Sequence, residues 1–390
     1  MDYNKILSKR VQMIKPSGIR KFFDLANEMD DVISLGVGEP DFKTPWVVRA
    51  KAIETLEKGR TIYTSNSGLA QLREEICTYL DTKYNTKYDA KNEVVVTVGG
   101  SEAIDMCIRS IVNTGDEVLV VEPCFVAYAP IIELTGGVVV PIETKSEDNF
   151  RLTAQALKEK ITGKTKLLVL PFPNNPTGGV MRREHLEEIA EILRGTDIMI
   201  LSDEIYSELT YNGKHVSIAE LDGMKERTIV VNGFSKSFSM TGWRLGYACG
   251  PEPIIKQMTK IHQFAIMCAP TTSQYAAIEA LKRCDENIQS MVEEYNRRRR
   301  YIVDSFNKLG LKCFEPEGAF YIFPSITSTG LTSDEFCEKL LHSKRVAVVP
   351  GTAFGACGEG YVRVSYSYSI KHINEAVKRI GEFLQELEGE

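Results

Sequence analysis

The sequence predicts an α/β protein built around a buried, mostly parallel sheet. Three observations lead there. Short β-branched, apolar runs recur between residues 94 and 231 without the alternation of a sheet that is wet on one face. Stretches with helical periodicity separate them. Run after run is followed at once by residues suited to chemistry, and ligands of open parallel sheets bind just outside the carboxyl ends of strands.

The elements follow in order. The first thirty residues form a polar, basic arm and then a helix around Ser17 to Glu28. The run Val32 to Leu35 ends in Gly36-Val-Gly-Glu-Pro40, a loop by its Gly and Pro density. A helix from about Pro45 to Lys58 has Pro45 in its first turn and Gly59 at its end. The candidate buried strands are Val94–Val98, Val118–Val121, Gly137–Val140, Leu167–Leu170, Ile198–Leu201 and Ile229–Val231. Helices over Ser101–Val112, Thr153–Ile161 and Arg183–Leu193 lie between them. A charged helix runs from about Glu286 to Leu309, and its run Arg297 to Arg300 reads as a solvated face. Strands at Phe320–Phe323, Val346–Val349 and Tyr361–Val364 and a helix at His372–Leu387 suggest a smaller α+β domain.

With 390 residues the chain suggests about two domains. The composition, 43% hydrophobic and 26% charged, is that of a globular protein. A net charge of −6 disfavours nucleic acid or an anionic membrane as the partner. Nine scattered Cys, no C-x-x-C pair and only five His argue against zinc and for reduced core thiols of a cytoplasmic protein. No apolar signal region opens the chain, and no run reaches the ~18 residues of a spanning helix.

The strand ends carry the chemistry. Gly99-Gly100-Ser101 opens a helix, where free N–H groups and the positive end of the helix dipole suit a phosphate; alone it could be a plain turn. Glu122-Pro-Cys-Phe125 offers an aromatic that could cover a planar ring, though such residues are more often core. Pro171-Phe-Pro-Asn-Asn-Pro-Thr-Gly178 is a rigid loop that could present the Asn175 amide as a fixed donor. Ser202-Asp-Glu-Ile-Tyr206 puts a carboxylate at the end of a buried strand, costly unless it meets a cation or donors; the alternative is a helix N-cap. Asn232 to Arg244 holds Lys236 among Phe234, Phe238 and Trp243, where lost hydration would lower its pKa and free a nucleophilic amine.

Together these residues resemble the class I aminotransferases that use pyridoxal 5'-phosphate. Gly233-Phe-Ser-Lys236 with Gly242-Trp-Arg244-Leu-Gly246 is similar to the cofactor-attachment motif. Asn175–Gly178, Asp203–Tyr206, Gly38–Phe42, Tyr63–Arg73, Val349–Phe354 and Arg363 match further family motifs, in family order, over about residues 11 to 380. The likeness is strongest to the bacterial aspartate/aromatic branch. It implies fold type I: a large cofactor-binding domain, residues 46–285, with a mostly parallel seven-stranded sheet, and a small α+β domain from residues 1–45 and 286–390. It also implies a homodimer with shared active sites, in which Tyr63 reaches the partner's cofactor phosphate.

The resemblance also assigns roles. Lys236 carries the cofactor and moves the substrate's proton. Asp203 sits against the pyridine nitrogen, while Asn175 and Tyr206 hydrogen-bond the ring oxygen and lower the pKa of the lysine linkage. Gly100, Ser101, Ser235 and Arg244 bind phosphate, and Phe125 stacks on the ring. Arg363 clamps the substrate α-carboxylate with two prongs, helped by Gly38. The expected reaction moves an amino group between an L-amino acid and a 2-oxo acid. Two positions depart from the pattern. Gly233 stands where Ser is frequent, removing one phosphate contact. Ser101 stands where some aspartate-preferring relatives have Lys, so aromatic or aliphatic donors are at least as well suited. A C–S β-lyase and a non-catalytic sensor are the alternatives on the same fold.

Overall fold

The computed structural model describes residues 1–16, 18 and 29–389. The expected helix from Ser17 to Glu28 lies outside the described residues, apart from Gly18.

Twelve strands follow in chain order: β1 (Ile33–Ser34), β2 (Val94–Thr97), β3 (Glu117–Glu122), β4 (Val138–Glu143), β5 (Thr165–Leu170), β6 (Met199–Asp203), β7 (Thr228–Gly233), β8 (Gly246–Cys249), β9 (Tyr321–Ile322), β10 (Val346–Ala347), β11 (Val349–Pro350) and β12 (Val362–Ser365). Seven of them form one sheet in the order β2-β8-β7-β6-β5-β3-β4. All neighbours are parallel except those of β8, which runs antiparallel to both β2 and β7.

The central strands are apolar on both faces because both faces are covered. Val118, Val120, Val169 and Leu201 pack with the helices Gly100–Ile111 and Glu252–Ala265. Their neighbours Leu119, Val121, Leu168 and Ile200 pack on the other side with Arg183–Leu193. That helix buries Leu186, Ile189, Ala190 and Leu193, the i, i+3, i+4, i+7 stripe that turns one face inward. Each of its Leu and Ile side chains contributes about 1.5–3 kcal/mol on full burial. The edge strand β4 differs: it is largely exposed and contains Pro141, which suits an unpaired edge.

The remaining strands form a β1–β10 pair and a three-stranded sheet, β11-β12-β9. They share a core with the helices Asp285–Lys308, Ser333–Lys344 and Ile370–Gly389. The expected strand Val346–Val349 is two strands, paired to different partners. The arginine run meets the expectation of a solvated face only in part: Arg297 and Arg300 are exposed, but the middle two are not. Arg298 and Arg299 are buried. Arg298 pairs with Asp41 and Glu294, and Arg299 with Glu315 and the Pro316 carbonyl. A buried guanidinium persists only where its donors are satisfied, and these two pin the long helix to the Gly38–Phe42 loop and to the chain before β9.

Candidate active site

A cavity of about 610 Å³ opens at the carboxyl ends of β6 and β7. Gly100, Ser101, Phe125, Asn175, Asp203 and Tyr206 line it, and so do Gly38, Ser235, Lys236, Arg244 and Arg363. Tyr63 does not. Its side chain is 77% exposed. The segment around it is anchored instead to the helix Thr271–Arg283: Thr271 donates to the Ile62 carbonyl (2.7 Å) and Gln274 to the Thr64 hydroxyl (3.0 Å).

The helix Gly100–Ile111 begins without a side-chain cap. Its first N–H groups therefore face the cavity unclaimed by any such cap. Gly99 holds φ = +79°, and a Cβ there would lie 2.8 Å from Arg244 Nη2. A Cβ on Gly246 would lie 2.7 Å from Gly100 N. Glycine at both positions thus lets β8 and the Arg244 guanidinium close on the helix start. Arg244 is itself anchored by Thr241, whose carbonyl accepts from Nη1 (3.1 Å).

The loop after β5 is locked from within. The Asn174 side chain accepts from Thr177 N (3.1 Å) and Thr177 Oγ1 (2.9 Å) and donates to the Pro123 and Pro171 carbonyls. The Gly178 carbonyl accepts from Glu317 N and Gly318 N, and Glu317 pairs with Arg151 and Arg182. Peptide bonds Phe172–Pro173 and Asn175–Pro176 are cis. The loop so fixed presents Asn175 to the strand β12: Arg363 Nη1 donates to Asn175 Oδ1 (2.9 Å).

Three charged groups meet here, and burial perturbs each. Lys236 Nζ donates to the Gly38 carbonyl (2.5 Å) and lies 5.8 Å from the ring centres of Tyr206 and Phe320. Lost hydration lowers its pKa from 10.5 to about 8; Glu39 opposes that shift, and the cations Arg363 and Arg244 add to it. Burial raises the Asp203 carboxyl, partly offset by donors from Tyr128 Oη (2.6 Å) and Ile205 N (3.2 Å). Burial lowers Arg363, whose guanidinium lies over the rings of Tyr321 (4.6 Å) and Phe354 (4.8 Å). Arg363 forms no ion pair among the described residues, and its buried Nε has no hydrogen-bond partner there.

Sequence inspection missed Tyr128 and Tyr321, which line the same cavity. Tyr128 opens the helix Tyr128–Thr135 just after the Glu122–Phe125 stretch, close to a strand end already marked. Tyr321, on β9, has no such local signal: its bond to Tyr206 Oη (2.8 Å) spans 115 positions.

The family profile described as "Aminotransferase class I and II" matches residues 30–380. The YugH protein of Bacillus subtilis is 53% identical over 378 residues, 97% of this chain and 98% of that protein. An aspartate aminotransferase of Pyrococcus abyssi is 47% identical over 383 residues, again 97% of this chain and 98% of the relative. The solved aromatic aminotransferase of Pyrococcus horikoshii superposes with a TM-score of 0.90 at 46% identity, covering 94% of this chain and 99% of that one.

Proposed function

The chain belongs to the class I and II aminotransferase family, and from that premise we propose which of its residues hold the cofactor, clamp the substrate and move the proton. It is a pyridoxal-phosphate-dependent aminotransferase of fold type I, transferring an amino group between an amino acid and a 2-oxo acid in two half-reactions. One observation carries the site assignment. A half-buried amine with pKa near 8, a buried carboxylate and a buried guanidinium without an ion pair among the described residues all face one cavity.

The residues present fit the cofactor. The uncapped helix start with Arg244 beside it suits a phosphate, through N–H groups of Gly100 and Ser101 and a charged fork. Ser235 is placed to add its hydroxyl. Asp203 supplies the anion a pyridinium needs, and that cation would in turn offset the carboxylate's burial. Phe125 would cover one ring face, and Asn175 and Tyr206 would donate to the ring oxygen. When bound, pyridoxal phosphate supplies an aldehyde that takes up amino groups and a ring that withdraws electrons from the adjoining carbon.

The chain's own residues do the rest. Arg363 grips the substrate α-carboxylate with the N–H groups that Asn175 and Gly36 leave free, and Gly38 adds a backbone contact. Lys236 would hold the cofactor, and its amine, freed once substrate takes its place and with a pKa lowered to about 8, would take up the proton from the substrate α-carbon. No general base of higher pKa would shed that proton readily at neutral pH.

The proposal has a wider frame. Residues 46–285 form a large domain around the seven-stranded sheet, and 1–45 with 286–390 a small one. Two copies pair, with Tyr63 serving the partner's phosphate. That is supported by its exposure and by other exposed apolar side chains, Trp46, Ile62 and Phe264 among them. Nine free cysteines, six of them buried, support a cytoplasmic setting. Ser101 carries no charge for a distal carboxylate, which supports aromatic or aliphatic donors. No helix among the described residues is long and apolar enough to cross a membrane.

The test is optical. Protein loaded with cofactor should absorb in the visible and bleach on adding an amino donor, and Lys236→Ala should fold but not turn over. Release of pyruvate and ammonia from cysteine conjugates, without a half-reaction, would overturn the assignment in favour of a lyase.

A further inference from the structure

We propose that Tyr321 is a positioning residue for Tyr206: its hydroxyl donates to the Tyr206 oxygen and so commits the Tyr206 proton to the cavity. The inference rests on the site assignment above and deepens it.

The two phenol oxygens lie 2.8 Å apart in buried surroundings, and the rings meet edge-on at a centroid distance of 5.9 Å. Their geometry alone permits donation in either direction. A phenol has one hydrogen to give but two lone pairs to accept with. Tyr206 can therefore aim its only hydrogen at an oxygen in the cavity only if Tyr321 supplies the hydrogen between the two phenols. Burial holds both phenols above their ordinary value, so both keep their hydrogens at neutral pH.

The cation beside Tyr321 favours that direction. The groups facing the pair among the described residues are Asp203 on β6, Lys236 after β7, Glu39 in the loop after β1, Arg363 on β12 and the phenols of Tyr128 and Tyr368. Arg363 lies over the face of Tyr321, 4.6 Å from its centroid. A cation against a phenol ring draws electron density from the oxygen and makes it the better donor. The chain of hydrogens then runs from Tyr321 to Tyr206 to the cavity. Polarised in series, such bonds strengthen one another.

The experiment titrates the visible absorption of the full chain loaded with pyridoxal phosphate, as wild type, Tyr321→Phe, Tyr206→Phe and the double variant. A donor aimed at the ring oxygen disfavours proton uptake by the neighbouring nitrogen, so weakening that donor raises the midpoint. Tyr321→Phe keeps the ring, its packing and the face turned to Arg363, so a purely structural role would leave the midpoint in place. It should raise the midpoint by roughly half a unit to one unit. Tyr206→Phe should raise it further, and the double variant should match Tyr206→Phe, because Tyr321 acts only through Tyr206. A midpoint unmoved in Tyr321→Phe while Tyr206→Phe moves it would overturn this inference alone, as would additive shifts. A wild type with no pH-dependent visible band would remove the site assignment itself, and this inference with it.

Discussion

Replacing Arg363 separates substrate binding from cofactor binding, and its size can be worked from the structure. A guanidinium has five N–H donors. One serves the Asn175 side chain and one the Gly36 carbonyl, which leaves three, among them the buried Nε. A carboxylate taking two of these would form parallel charge-assisted bonds worth about 1.5–3 kcal/mol each, or about 3–6 kcal/mol together. Arg363→Ala should therefore lower kcat/KM for the amino acid by roughly a hundred-fold to ten-thousand-fold. Fold stability should change little. Removing a buried cation relieves its desolvation, while Asn175 Oδ1 and the Gly36 carbonyl lose a donor at about 1–3 kcal/mol each. Arg363→Lys keeps the charge but not the fork and should recover only part of the loss. Single-turnover kinetics with a donor amino acid, set beside an equilibrium titration of cofactor, make the measurement. Equal losses in both, or full recovery in Arg363→Lys, would refute the clamp.

Three further outcomes follow from the same geometry. The rate at which apoprotein takes up pyridoxal phosphate should rise with pH through about 8 and then level off, because only the neutral Lys236 amine is nucleophilic and burial has lowered its pKa; a rate still climbing past pH 10 would contradict that. Asp203→Asn keeps the shape that Tyr128 contacts but removes the charge, and should cut turnover by about two to three orders of magnitude while leaving the protein folded; wild-type turnover would disprove the assignment. Gly246→Ala puts a methyl group 2.7 Å from Gly100 N and should weaken cofactor binding by roughly ten-fold or more without touching any ligand-contacting side chain; unchanged affinity in an equilibrium titration would show that the helix start can yield.

What the sequence disclosed and what it withheld have a common physical origin. The sheet was readable because strands covered on both faces need unbroken apolar runs, and each run is a local signal. The strand β8 escaped the pattern. Gly246-Tyr-Ala-Cys249 is short and lacks β-branched residues, and it opens on a glycine that lets Gly99 and Gly100 approach. The strand-end residues were visible because Asp203 and Lys236 lie within five positions of the ends of their runs. The other wall of the cavity was not visible from local pattern. Arg363 meets Asn175 across 188 positions, Lys236 meets the Gly38 carbonyl across 198, and Tyr321 meets Tyr206 across 115. Nothing in a window of ten residues encodes such a meeting. Arg363 and Gly38 were reachable only through motifs whose spacing the resemblance supplied, and Tyr321 lay in none of the motifs. Arg298 and Arg299 were misread for a related reason, though Arg297 and Arg300 are solvated as expected: charge density predicts solvation only when no distant acid is near, and Asp41 lies 257 positions from Arg298. A cavity that must close around both a cofactor and a substrate is walled by residues from both ends of the chain, so local patterns reveal the half of it that one sheet carries.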